Sequence, residues 1–504
     1  MKRNYILCFV YLMTVSSLSA QDGGGFHDTY QLSDGFGIAF RDISMLGEDT
    51  LLVLGHGYYE PYFPDHIVFV LVLDTLGSVL DAKIIRIPEE TLLSEALIRR
   101  NSNGQYLIAI SNFFNGIIAE LNTDLTLNLF DNYYGVNGSN VLYPKSILEL
   151  PDSTIVLAGY YQKQNSFSYN FIKFITPLGI QSFGKSYGID GQNHLLSSIS
   201  QNGDSSLVIG ASYYDGFFPN EIGWTKSHIY EIDFAGNINW EWESEVNAEN
   251  GVAGLQKTSD NEWIYLTGTI EEDSSKVYVS TLKAVKRDSL FNLIWEKSLS
   301  PRPGKSNRAG WLQSSPDGNW IASGWCKMDT LSEEGNPIYS GFIYKFSSEG
   351  DSIWAVYLNP EDSLKGDIYP EKMVVSPSGS VYWVNRYNQS TNPGGTWGWL
   401  VKVDKDGCAQ TLCNTADLIE VSQKVSPPEL VVFPNPAYDY VEVQTEYPGK
   451  LELFSMEGKL QYTERISAGN TRVGLNSMPT GVCTVRFVRT NGVIDYKHII
   501  INRR

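Results

Sequence analysis

The sequence predicts an all-β chain: a β-propeller of seven blades, within a range of six to eight, followed by a small β-sandwich. Three observations predict it. Aromatic residues reach 13%, with 30 Tyr and 12 Trp, while long Ala/Leu/Glu/Lys runs are missing, a balance that suits strands. A unit of strand, polar turn, apolar strand, variable loop, strand, Gly turn and aromatic strand recurs through the middle of the chain. After residue 413 that unit stops and a different, denser strand pattern takes over.

The N-terminus, MKRNYILCFVYLMTVSSLSAQ, has basic Lys2 and Arg3, an apolar run from Ile6 to Val15 and small residues before Gln21. Residues 1–20 are therefore expected to be a signal peptide. The apolar run is too short for a permanent span, and no permanent membrane span is expected further along. Cys8 falls inside the run rather than at its end, which excludes a lipidated cysteine. The net charge is -19, and loss of Lys2 and Arg3 makes it -21. So acidic a surface repels phosphate backbones and argues against nucleic acid as a partner.

Residues 22–413 carry the repeat. Its clearest copies include SSISQNGDSSLVIGAS with SHIYEIDFAGNINWEWE, and GWLQSSPDGNWIASGW with SGFIYKFSSEGDSIWAVY. The turn glycines measure the period: Gly77 to Gly179 is 102 residues, Gly179 to Gly236 is 57, Gly236 to Gly350 is 114 and Gly350 to Gly407 is 57. With the units around NTDLT and KRDSLFN filling the gaps, seven four-stranded units result. Each is the size of a propeller blade. FHDTYQLSDG (26–35) resembles the end of a unit with no unit before it, so it is expected to supply the outer strand of the last blade. An extended array of sandwiches is the competing arrangement. The endings IYKFSSEGDSIW (343–354) and IYEIDFAGNINW (229–240) resemble degenerate propeller repeats of bacterial exported proteins, a likeness of structure and not of activity.

Residues 414–430 read as a linker ending in Pro427-Pro428. Then FPNPAYDYVEV (433–443), LELFSMEGKL (451–460), LNSMPTGVCTVRF (475–487) and KHIIINRR follow in order across 431–504. This order resembles the C-terminal sorting domain (type A) of the type IX secretion system of Bacteroidota. The resemblance implies a β-sandwich read by the export machinery, removed by a sortase-like protease cutting within the linker, and a protein secreted or held at the cell surface. Its motif residues are Pro434, Asn435, Pro436, Gly458, Lys459 and Gly481. The prolines are expected to leave the first edge unpaired until Val441. Gly458 is expected at a positive-φ hairpin position, and Gly481 is expected to relieve crowding after Pro479.

Of the four cysteines beyond the signal segment, Cys408 and Cys413 are close enough to form a small-loop disulfide in an oxidising compartment. Cys326 and Cys483 read as buried apolar residues. The six His are scattered; His56 and His66 flank a loop and read as solvated surface, with no metal site and no cofactor expected. No nucleophile elbow, phosphate loop or dinucleotide fingerprint is present, and Glu89 and Glu90 are assigned no role. Aromatic loops between second and third strands stand out: Tyr58, Tyr59 and Tyr62; Tyr213, Tyr214, Phe217 and Trp224; Trp397 and Trp399. They would either stack on a sugar or grip a peptide, or fold back over blade edges. The expected function is a secreted or surface binding protein with a glycan or protein ligand. A polysaccharide hydrolase or lyase on the same scaffold, and a structural or adhesive component, are the alternatives.

Overall fold

A computed structural model of the chain describes residues 12–14, 26–32, 36–59, 67–85, 93–112, 115–122, 125–134, 140–163, 167–176, 181–188, 192–215, 226–244, 248–272, 278–299, 306–331, 337–358, 366–389, 396–409, 430–433, 437–445, 447–455, 459–475, 478, 480–490 and 494–502. These form two compact units, Met1–Val421 and Ser422–Arg504. No helix occurs among the described residues.

Among the described residues the larger unit holds seven antiparallel sheets. Six are four-stranded meanders in chain order, spanning 36–85, 93–134, 140–187, 192–243, 248–298 and 307–358; they are called sheets 1 to 6. Sheet 7 joins Gly366–Val375, Val381–Gln389 and Thr396–Val403 to the N-terminal strand Phe26–Leu32. The register runs from Phe26 opposite Lys402 to Tyr30 opposite Gly398, so the orphan strand takes the place its pattern predicts. Leu12–Thr14, inside the expected signal segment, pairs against its outer edge.

The apolar core lies between sheets. One cluster packs Leu52 and Val70 of sheet 1 against Ile98 and Ile108 of sheet 2, and like clusters follow between each consecutive pair. A further one sets Ile38, Phe40 and Phe69 of sheet 1 against Tyr30, Val384 and Leu400 of sheet 7. Inner strands are thus buried on both faces: every residue of Ser168–Ile175 is buried, Ser168, Asn170 and Lys173 included. Outermost strands such as Ile238–Glu243 are mostly exposed, which is why their aromatic and charged residues alternate.

The turn after the third strand passes through one left-handed residue in the six sheets where it is described. Gly77, Gly236, Gly350 and Gly407 hold φ between 77° and 92° there, and the units lacking glycine put Leu125 (59°) and Phe291 (67°) into the same conformation. That position otherwise favours glycine. The surroundings hold the exceptions: Phe291 packs against Trp240, Trp242 and Tyr265. Aspartates cap the turns, Asp74 Oδ1 accepting from Leu76 and Ser78 N–H at 2.9 and 2.7 Å.

The smaller unit has a three-stranded sheet (Leu430–Phe433, Tyr440–Thr445, Gly469–Gly474) and a four-stranded one (Gly449–Ser455, Leu460–Ile466, Gly481–Arg489, Ile494–Ile501) over a shared core. Two expectations are corrected. The first edge is not unpaired until Val441: Leu430 to Phe433 already pair with Thr445 to Glu442, and Leu430 is 2% exposed. The prolines follow that strand rather than precede the sheet. Gly481 does not relieve crowding, since a Cβ there would meet nothing within 4 Å; its φ of +130° is what calls for glycine. Pro434, Asn435, Pro436 and Gly458 lie outside the described residues. Lys459 is exposed, and its carbonyl accepts from Ser455 N–H at 2.9 Å, closing the hairpin.

Candidate functional site

The first strand of every sheet is bulged. In sheet 1 the register steps from Phe40–Gly55 to Asp42–Leu54, leaving Arg41 as the extra residue. The steps in sheets 2, 3, 4 and 6 leave Ser94, Lys145, Ser197 and Gly310. Sheet 5 steps twice, at 250–252 and at Gly254-Leu255, and sheet 7 steps at Glu371-Lys372. A bulge re-aims a side chain that regular pleating would bury between sheets.

Three second-strand glycines lie against the backbone beside these bulges. A Cβ on Gly55 would lie 2.7 Å from Ala39 O, on Gly159 2.2 Å from Tyr143 O, and on Gly324 2.0 Å from Arg308 O. In each case the obstructing carbonyl belongs to the residue two before the bulged one. Pro144 and Pro370 precede two of the bulges, where a missing N–H is tolerated.

The bulged residues of sheets 7, 1 and 3 carry charge, and Glu95 follows the bulge of sheet 2. Arg41 Nη1 pairs with Glu371 Oε1 at 2.6 Å, and Arg41 Nε donates to His56 Nδ1 at 3.1 Å. Lys145 pairs with Glu95, and its ammonium lies 5.8 Å from the Tyr160 ring, which stacks on Tyr143 at 4.8 Å. Lys372 Nζ sits over the Trp311 ring, 3.2 Å from its centroid, and donates to the Lys145 carbonyl at 3.5 Å. Asp42 accepts from Ile43 and Ile98 N–H at 2.8 and 2.9 Å.

Burial sets the electrostatics. It pushes Asp42 up to about 6 against the pull of Lys372, and lowers Lys372 to about 8 against the pull of Asp42. Burial also raises Glu371, opposed by Arg41. For Glu95 burial works upward, but Lys145 and Arg41 hold its carboxyl below the ordinary value. Lys145 is raised by Glu95 despite its burial, and Tyr160 is pushed up to about 12 by burial.

Beside these ion pairs lies a cavity of about 650 Å³, lined by the first strand of every one of the seven sheets. It runs from Lys145 and Lys372 to the first hairpins at Asn101 and Ser102. Arg99, Arg100, Gln201, Gln256 and Ser314 line it between.

The expected aromatic contacts divide. Tyr58, Tyr59 and Tyr214 end second strands, and Trp397 and Trp399 begin a third; Tyr62, Phe217 and Trp224 lie outside the described residues. Trp399 is fully buried and packs on Trp383 at 5.9 Å, so it serves the core and is no surface contact. Trp397 is half-buried against the same cluster. Tyr213 is half-buried, stacked on His194 at 5.6 Å and beneath Lys226. His56 is 6% exposed on a strand, not solvated on a loop; His66, Glu89 and Glu90 lie outside the described residues. Among the described residues no cluster could hold a metal. Cys408 is disulfide-bonded, while its expected partner Cys413 lies outside them; Cys326 and Cys483 are free and buried.

The sequence reading missed Arg41, Glu95, Lys145, Glu371, Lys372 and Trp311. A signal was present: Tyr143-Pro144-Lys145 and Tyr369-Pro370-Glu371-Lys372 place charge after Tyr-Pro inside otherwise apolar first strands.

Fold and site together define an all-β, β-propeller-like protein with a polar channel. Residues 431–502 match the secretion system C-terminal sorting domain, which marks the chain for type IX export across the outer membrane, to be secreted or held at the surface, and implies a Bacteroidota source. No helix among the described residues is long and apolar enough to cross a membrane. No curated protein matches the chain. Among solved structures it is similar to a PL25 polysaccharide lyase, an ulvan lyase (8% identity, TM-score 0.46, 78% of this chain and 100% of that one). It is also similar to a Penicillium chrysogenum α-L-arabinanase complexed with arabinobiose (12%, 0.42, 63% and 96%), and to Drosophila Plexin A in complex with Semaphorin 1b (9%, 0.41, 77% and 88%).

Proposed function

We propose that the chain is a secreted or surface binding protein, built as a closed seven-bladed β-propeller that holds a glycan or protein ligand in its central channel. The observation that carries this is the cavity itself, to which every first strand contributes and which Lys145 and Lys372, at the bulges of sheets 3 and 7, line. The core cluster joining sheet 7 to sheet 1 supports closure. The loop aromatics Tyr58, Tyr59, Tyr62, Tyr213, Tyr214, Phe217, Trp224 and Trp397 are proposed contacts at the opposite mouth of the same channel. The sorting module is taken up by the type IX machinery and removed by a sortase-like protease within 414–430.

Retention of the purified chain on plant, animal and microbial polysaccharides and on surface proteins tests the reading. Ser314 is exposed on the channel wall, so Ser314→Trp should abolish retention of any channel ligand without unfolding the chain. Retention unaffected by Ser314→Trp sinks the channel site. The hydrolase or lyase reading draws on Asp42 and Lys372, whose pKa values burial brings to about 6 and 8 in one cavity. It predicts new reducing or unsaturated ends, and their absence with every retained glycan excludes it.

A further inference from the structure

We propose that the channel takes an anionic polysaccharide, with a carboxylate or sulfate seated on Lys372 and the two arginines that follow the bulge of sheet 2. This rests on the reading that the channel is the ligand site.

The first reason is charge. The chain carries 57 acidic against 38 basic residues, yet the cavity wall reverses that balance. Arg99, Arg100, Lys145 and Lys372 line it against only Asp42 and Glu149. Neither acid forms an ion pair with these cations, although the charges of Lys372 and Arg99 act on Asp42. Glu149 Oε2 accepts from Ser102 N–H at 2.5 Å, and both oxygens of Asp42 are taken by backbone N–H groups.

The second reason is that the cations are not all spoken for. Lys145 is paired with Glu95. Lys372, Arg99 and Arg100 have no carboxylate within ion-pair distance among the described residues. Lys372 is half-buried, held by the Trp311 face and one carbonyl. Asp42, Glu95 and Glu371 act on this ammonium only from beyond ion-pair distance, and an anionic ligand group would pair with it directly.

The third reason concerns the neutral wall. Ser44, Ser146, Ser198 and Ser314 offer hydroxyls, and Gln201 and Gln256 offer amides, from five strands around the axis. Hydroxyls and amides match a polyhydroxylated chain; an acidic peptide would want apolar pockets for its side chains.

The test compares the full chain's affinity for oligogalacturonate and a sulfated galactan with that for unsulfated galactan and for poly-glutamate. Both anionic glycans should bind at least ~10-fold tighter than galactan, and raising NaCl from about 50 to 500 mM should weaken them severalfold. Lys372→Gln should weaken the anionic glycans by ~10-fold and leave galactan unchanged, and the exposed Arg100→Gln severalfold. Arg100→Gln, at an exposed residue, keeps the test decisive if Lys372→Gln fails to fold. Galactan bound as tightly as its sulfated form would overturn the charge inference while leaving the channel reading intact. Poly-glutamate bound as tightly as the glycans would overturn it in favour of an acidic protein. No binding to either anionic glycan also overturns it. Anionic binding indifferent to Ser314→Trp would remove the channel reading and this inference with it.

Discussion

Tyr30 is the residue on which the N-terminal strand's place in sheet 7 can be judged. It is fully buried, its ring lies 5.3 Å from Phe40 of sheet 1, and its hydroxyl donates to the Gly77 carbonyl at 2.6 Å. Tyr30→Phe leaves that carbonyl without its buried donor, which costs about 1–2 kcal/mol. Tyr30→Ala adds the loss of a buried ring and the cavity it leaves, about 4 kcal/mol in all. An unfolding entropy of ~2.1 cal/mol/K per residue over roughly 400 residues gives about 0.8 kcal/mol/K, so Tm should fall by ~2 °C for Tyr30→Phe and ~5 °C for Tyr30→Ala. Differential scanning calorimetry on the secreted chain measures this. Leu80→Ala, at 57% exposure on an outermost strand, serves as control and should move Tm by less than ~1 °C. Hydrogen exchange supplies a local readout: with Tyr30→Ala, the amides of Thr396–Val403 that face Phe26–Leu32 should exchange faster than those facing Val381–Gln389. A Tyr30→Ala midpoint equal to that of Leu80→Ala, with no such asymmetry, would refute the closing role of this strand.

Other outcomes follow from the same geometry. Asp42 has a folded pKa of about 6, above its ordinary 3.8, so its protonated form is the stabilised one. That contribution, about 3 kcal/mol, is in place below pH ~4 and lost as pH rises through 6. The stability of Asp42→Asn relative to the parent should therefore improve by up to that amount between pH 4 and 7.5, and a flat difference would refute the buried-carboxylate account. Gly159→Ala should cost about 3 kcal/mol, because its Cβ meets Tyr143 O at 2.2 Å; an unchanged Tm would show that the bulge at Lys145 does not need the glycine. Ser153 holds φ of 64°, so Ser153→Gly should raise stability by about 1 kcal/mol in denaturant titrations, a gain that vanishes if the turn is not left-handed. Alkylation of the unfolded chain, freed of its signal segment but still carrying the sorting module, should label two thiols without reductant, Cys326 and Cys483; labelling of four would exclude a Cys408–Cys413 disulfide.

Much of the fold was legible because its signals are local. Turn chemistry is written within five residues: Asp233 with Gly236 and Asp404 with Gly407 announce hairpins whatever the rest of the chain does. The positive-φ demand is strong enough that, at Leu125 and Phe291, the turn keeps its shape without its glycine. The smaller unit was equally readable, its ordered motifs lying within 72 contiguous residues. The edge pairing of Leu430 was not, because the prolines that follow it look like a strand's beginning when read along the chain alone.

The sequence by itself determined the all-β class, the repeated four-stranded unit, the partner of the orphan N-terminal strand and the export address. Each depends on period-two patterning, on turn residues or on a contiguous motif. Only the tertiary structure decided the site. A bulge shifts register by one residue, and its consequence is where a side chain points, which no local pattern records. Arg41 and Glu371 stand 330 positions apart and meet at 2.6 Å, because the strand that carries each was bulged at the same height of its own sheet. Trp399 shows the converse: its loop-like composition reads as surface, and the stacking of neighbouring sheets buries it completely.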